Sequence, residues 1–284
     1  MATPAPTDWT CPTCGARVRT AFCARCGERR LVRRDLAMRS LFDRVAHALT
    51  SVDGRVLRTA WTLLRRPGAL TVAYLTGRRK PFIPPLQVFI LANVVFFAIQ
   101  SFSAANVFGA KLESHLHQQD WAPWAQEVIA RRLAPSHRTV AGYAPVFDRA
   151  VERNAKSLVF LMAIPFALLL AAMFRRRRLP FITHATFALH AWAFLLIVFS
   201  VATLFADADA FRGGAGLRSA MLDNVLTTAC IAACLLHMRS ALGPVYGIAG
   251  GRRWLASAVL TLAVGGIVLG YRWLLFVITV VATT

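Results

Sequence analysis

Trp192-Ala-Phe-Leu-Leu-Ile-Val-Phe-Ser-Val-Ala-Thr-Leu-Phe205 contains no charged residue and offers no polar face at any helical angle. A helix that is apolar all round is buried, either in a large protein core or in lipid. Extended to 184–206, the stretch reaches the roughly 20 residues a helix needs to cross the hydrocarbon. Four more segments pass the same test, at about 86–108, 157–174, 220–238 and 254–281. The 157–174 segment is short, but Arg175 to Arg178 can snorkel and lengthen it. The last contains Arg272, so it reads either as one tilted span or as a span with an interfacial tail over 273–284. A large soluble helical bundle would need polar faces that these segments lack. The sequence therefore predicts an all-α polytopic membrane protein of about five transmembrane helices, with a transmembrane domain over 86–284.

Charge sets the expected orientation. The chain holds 33 Lys+Arg against 13 Asp+Glu, a net charge of +20. In a soluble protein that excess would point to nucleic acid. Here the basic residues flank apolar runs, which fits retention beside an anionic leaflet, and no nucleic-acid partner is expected. Residues 1–80 carry 16 Lys+Arg and 5 acids, whereas the loop at 109–156 carries 7 and 5. Arg175–Arg178, Arg239, Arg252 and Arg253 mark the other basic connections. We expect a cytoplasmic N-terminus, an external helical loop at 109–156 and an external C-terminus. No signal peptide is expected, because residues 1–80 lack an uninterrupted apolar core.

Cys11-Pro-Thr-Cys14-Gly and Cys23-Ala-Arg-Cys26-Gly form two CxxC knuckles separated by eight residues. Four thiolates in that pattern suit a tetrahedral ion, and each glycine lets the backbone turn under it. So short a segment cannot build a core, and a metal would supply its folding energy. Disulfides belong outside the cell, and a redox CxxC normally occurs singly in a βαβ unit. Residues 1–30 are expected to be a zinc ribbon whose closed, structural Zn2+ leaves no open catalytic position.

Between ribbon and spans, 31–85 reads as cytoplasmic amphipathic helices. Apolar residues recur every three or four positions through 36–66, from Met38 and Phe42 to Ala60 and Leu63, with a break at Asp53-Gly54. Arg55, Arg58, Arg65, Arg66, Arg78, Arg79 and Lys80 are the candidate contacts to anionic lipid. Packing on the inner ends of the spans is the alternative, and both can hold together. Pro67-Gly68 separates two helices, and Pro84-Pro85 opens the first span.

Taken together, Cys11, Cys14, Cys23, Cys26, Thr59, Pro67, Gly68, Tyr74, Gly77, Arg79, Phe82 and Pro84 resemble a family of uncharacterised bacterial membrane proteins. Those proteins, classed as a domain of unknown function, begin with a paired CxxCG ribbon. Tyr271-Arg272 resembles the family's closing pattern. The chain departs from many members at Glu28, where they have Gln, and at Phe82, where they have Tyr. The resemblance implies a bacterial inner-membrane protein and brings no activity with it.

Polar residues within the spans come next, because lipid makes them costly without partners. Asn93 and Gln100 share a face of the first span, with Gln87 and Asn106 near its ends. His184 and His190 lie in the third span, and Asp223, Cys230, Cys234 and His237 fall on one face of the fourth. Interhelical hydrogen bonding explains such residues without a ligand, and a second metal at Cys230, Cys234 and His237 is a weaker reading. Asp223 and Arg272 come out at similar depth on neighbouring helices and are expected to pair. In the outer loop, His115 and His117 point about 200° apart on a helix and make a poor metal site. That loop is expected to consist of solvated surface helices.

There is no GxxxxGK[ST], GxSxG or HExxH, so no catalytic residue is assigned. The preferred function is a non-enzymatic scaffold or regulator, docking a protein partner or anionic lipid through ribbon and basic helix. A small-molecule, ion or lipid transporter is the alternative, and a lipid enzyme using His190, His237 or Asp223 comes third.

Overall fold

The computed structural model describes residues 8–30, 54–103, 108–136 and 138–283. The first 23 of these form a two-stranded ribbon, in which β1 (Trp9–Thr10) pairs antiparallel with β2 (Arg17–Val18). Every later element among the described residues is a helix. Two short helices follow, α1 (Gly54–Arg65) and α2 (Ala69–Leu75), and α3 (Pro85–Phe102) is the first long apolar one. The segment expected as an amphipathic helix over 36–66 lies partly outside the described residues, as does Asn106.

Three helices, α4 (Leu112–His117), α5 (Ala122–Leu133) and α6 (Val140–Leu158), lead through a 3-10 turn into α7 (Ala163–Met173). The rest is α8 (Phe181–Phe211), α9 (Ala220–Tyr246) and α10 (Gly250–Thr283). α3, α8, α9 and α10 are long and apolar enough to cross a membrane, and α6 with α7 makes a possible fifth span bent by 58°. The chain is an all-α protein with four to five candidate membrane spans. α8 is the central helix: 67% of its most apolar window is buried inside the protein, against 28–39% for the other three long helices. α3 and α7 pack along it, while α9 packs on α10 and α6 on the far half of α10.

Several bounds differ from the sequence reading. The apolar run at 157–174 is no straight helix: it begins as the 3-10 turn Val159–Met162 and leaves only 11 residues in α7. At 1.5 Å per residue that spans about 17 Å, too short alone for the roughly 30 Å hydrocarbon. α9 runs to Tyr246 although Pro244 lies inside it. A helical proline frees the carbonyl four residues earlier, here that of Ser240, and Arg253 Nη2 donates to it at 2.9 Å. Arg253 Nε donates to Arg239 O beside it. α10 is one continuous helix to Thr283, with no separate tail.

The 109–156 region is also more than a solvated loop. Leu112, His115, Ile129, Phe147 and Val151 are all buried. His115 packs against Phe276 and Phe147, and Trp124 stacks on Trp273 at 5.8 Å between centroids. α4 to α6 thus cap the end of α10 opposite the ribbon. Short amphipathic helices look alike in sequence whether their apolar side meets a bundle or a membrane surface.

Candidate functional site

Each ribbon knuckle is closed by the same pair of backbone bonds. Gly15 N donates to Cys11 O and Cys11 N to Ala16 O, while Gly27 N donates to Cys23 O and Cys23 N to Glu28 O, all at 2.7–2.8 Å. Gly15 and Gly27 have φ of 74° and 69°, where a Cβ is strained. The turns bring four sulfurs within 4.8 Å of one another, with Cys11–Cys26 and Cys14–Cys23 at 3.5 Å. Sulfurs at ~2.3 Å from a tetrahedral zinc stand ~3.8 Å apart, so the donor set fits such an ion, which would deprotonate the thiols on binding. Among the described residues this is the one cluster of three or more His, Cys, Asp or Glu able to hold a metal. Cys230, Cys234 and His237 do not converge into a second, nor do His115 and His117.

Glu28, the second residue after Cys26, is buried. Its Oε2 accepts from Lys80 N at 2.9 Å, Arg79 N at 3.1 Å and Thr13 Oγ1 at 2.7 Å. A ribbon carboxylate therefore grips the backbone of the loop between α2 and α3. Gly77 makes that grip possible: its φ of 85° ends α2, Arg78 N donates back to Ala73 O, and the N–H groups of Arg79 and Lys80 beyond it meet Glu28. Charge-assisted bonds of this kind are about twice as strong as neutral ones.

α1 is tied to the same loop from the other side. Arg55 Nη2 donates to Phe82 O at 2.6 Å, and Ile83 N donates to Thr59 Oγ1 at 3.2 Å. Thr59 and Leu63 are buried, while Leu57, Trp61 and Leu64 are exposed at 77%, 59% and 45%. The helix thus has a second apolar stripe facing away from the bundle, flanked by exposed Arg58, Arg65 and Arg66. α2 wedges against α8 and α9. A Cβ on Gly68 would stand 2.8 Å from Ala241 O, and Thr71 Oγ1 hydrogen-bonds His190 Nδ1 at 2.9 Å.

Ribbon, α1, α2 and the loop enclose a cavity of about 380 Å³. Arg29, Arg55, Arg78, Arg79 and Lys80 line it, together with Glu28, Tyr74 and His190. Arg79 also lies over the Tyr74 ring at 4.5 Å. Sequence reading had Arg55, Arg78, Arg79 and Lys80 as basic residues facing lipid; the structure gathers them round one space and adds Arg29 from the ribbon. Nothing in local spacing signals that gathering.

Of the remaining intramembrane candidates, His190 and His237 lie near each other and the others stay apart. His237 stacks on Phe194 at 3.7 Å between centroids, and with His190 borders a void of only about 10 Å³. His184 Nδ1 meets Tyr246 Oη at 2.9 Å. Asn93 and Gln100 are half-buried on α3. Asp223 is exposed, whereas Arg272 is half-buried on α10 and its charge acts on His115. The expected Asp223–Arg272 pair is absent from the ion pairs of the described residues. Asp223 faces solvent while Arg272 is half-buried, so the two sit in different surroundings. Burial, with Arg272 close by, lowers the His115 pKa to about 4, partly opposed by the Ala110 backbone. His115 Nδ1 accepts from Trp121 Nε1 at 3.3 Å.

A family model described as protein of unknown function (DUF3667) matches residues 53–97. That stretch covers α1, α2, the gripped loop and most of α3, so this part of the chain is similar to an uncharacterised domain family. No curated protein and no solved structure matches the chain.

Proposed function

We propose that the protein is a non-enzymatic scaffold or regulator of the bacterial inner membrane, with a zinc-loaded cytoplasmic ribbon held at an anionic leaflet. The observation behind this reading is the Glu28 grip on Arg79 and Lys80, which fixes the ribbon to the same loop that holds α1. Leu57, Trp61 and Leu64 suit insertion among lipid headgroups, and Arg58, Arg65 and Arg66 suit anionic ones. The ribbon's outer side then remains open to a protein partner. The void of about 10 Å³ at His190 and His237 holds about one water and gives little support to a solute path there.

The test is native mass spectrometry of the full chain extracted from mixed neutral and anionic bilayers. Anionic lipid should be enriched over neutral lipid, and replacing Arg58, Arg65 and Arg66 by Gln should reduce that enrichment several-fold. Equal retention of both lipid types, or solute flux through reconstituted protein well above that of empty vesicles, would defeat the reading.

A further inference from the structure

We infer that the cavity between the ribbon and the α2–α3 loop is a binding site for a phosphate group carried by a lipid. The inference relies on the proposed function only for placing the ribbon end at a leaflet.

Charge comes first. Five cationic side chains line about 380 Å³, against the single carboxylate of Glu28. Gathering like charges round one space is costly unless something anionic offsets it. Glu28 supplies one negative charge against those five positive ones, so the space keeps an excess of positive charge. Donors provide a second, independent observation. The Tyr74 hydroxyl and Arg55 Nε are buried without a hydrogen-bond partner, and both residues line the cavity. Buried polar groups are normally satisfied, and those left over call for a ligand or water. Phosphate oxygens accept several hydrogen bonds at once and suit guanidinium forks.

The lining also explains why the phosphate would arrive on a lipid. Leu70, Phe82, Ile83, Pro84 and Pro85 form its apolar side, and Pro85 is the first residue of the α3 span. A headgroup lies at that level when α3 crosses a bilayer, and acyl chains can continue along the helix. The ribbon acts as a lid, since Arg29 and Gly27 come from its second knuckle and Lys80 Nζ would stand 3.4 Å from a Cβ on Gly27. Metal binding and lipid binding are thereby coupled through Glu28.

The full chain in phosphatidylcholine nanodiscs provides the test, with phosphatidic acid and diacylglycerol as lipid probes and pyrophosphate as the soluble one. One phosphatidic acid per chain should survive extraction, with diacylglycerol retained at least tenfold less. Replacing the exposed Arg78 and Lys80 by Gln should weaken retention about tenfold without loss of fold. Glu28→Gln keeps an oxygen acceptor and removes the like charge, so it should bind several-fold tighter. Glu28→Ala should lose both lipid and ribbon protection from protease. Retention unchanged by Arg78→Gln with Lys80→Gln, or pyrophosphate bound more tightly than phosphatidic acid, would overturn the site. The Gln variants of Arg58, Arg65 and Arg66 should leave this single lipid in place, so bulk leaflet docking and the cavity can fail separately. Conversion of retained phosphatidic acid to diacylglycerol would overturn the non-enzymatic reading and keep the site.

Discussion

The two ends of the bundle are held together by different means. At the ribbon end, β1, β2 and the knuckles contain only three buried hydrophobic residues, Cys11, Val18 and Cys23. Their order rests on sulfur geometry and on hydrogen bonds such as those of Glu28. At the far end, α4 to α6 cover α10 with aromatic side chains, and His115 sits among Trp121, Phe147 and Phe276. One end has polar groups whose partners lie in sequence-distant loops, and the other has a polar group wrapped in rings. An end built round a candidate metal site and a desolvated end should fail under different conditions.

The largest separation is expected from the cysteines. Replacing Cys11 and Cys26 by Ser should reduce bound zinc from about one per chain to none and expose the ribbon to protease, with the helical signal of the spans unchanged. Metal analysis and limited proteolysis read both effects. Zinc that survives the double change would show that the two ends do not differ in this way.

Acid should act at the opposite end. His115 is held neutral with its pKa lowered to about 4, against 6.5 for an unperturbed histidine. An unfolded chain therefore takes up more protons than the folded one between those values, and stability falls as pH drops through that window. The contribution is present in full above pH 6.5 and amounts to about 3 kcal/mol at 1.36 kcal/mol per unit. Hydrogen exchange of α4 and α5 should accelerate from pH 6.5 to 4, and His115→Gln should flatten that dependence. An unaltered pH profile in the variant would move the acid sensitivity elsewhere.

The smallest effect is expected where the sequence foresaw an ion pair. Asp223 is exposed and unpaired with Arg272, so Asp223→Asn should change stability by less than about 0.5 kcal/mol. Combining Asp223→Arg with Arg272→Asp should give no recovery of folded yield over the worse single change. Recovery would restore the pair.

What the sequence revealed follows from how local each signal is. The paired knuckles span 16 residues, and the spacing of their cysteines and glycines forecasts the converging sulfurs. The long spans need only an unbroken apolar run. The Glu28 grip was hidden because its partners lie 51 and 52 residues away and are backbone groups, which no residue type advertises. The fourth span, read over 220–238, runs on past Pro244, and only Arg253, brought back by the turn into α10, shows why the helix continues. The buried cap was hidden by amphipathicity, which states that a face must be covered and not by what.

The wedge of α2 also constrains how the protein is made. Its seat is completed by His190, 119 residues after Thr71, and by Ala241 against Gly68. At about 5–20 residues per second, a ribosome reaches His190 roughly 6–24 s after Thr71, and Ala241 roughly 9–34 s after it. Until then α2 has no groove to enter, and the loop that Glu28 grips lacks its final support. α1, with Leu57, Trp61 and Leu64 turned outward, can hold the early segment at the bilayer surface during that interval. The first membrane contact made by the nascent chain would then come from a helix that does not cross the membrane.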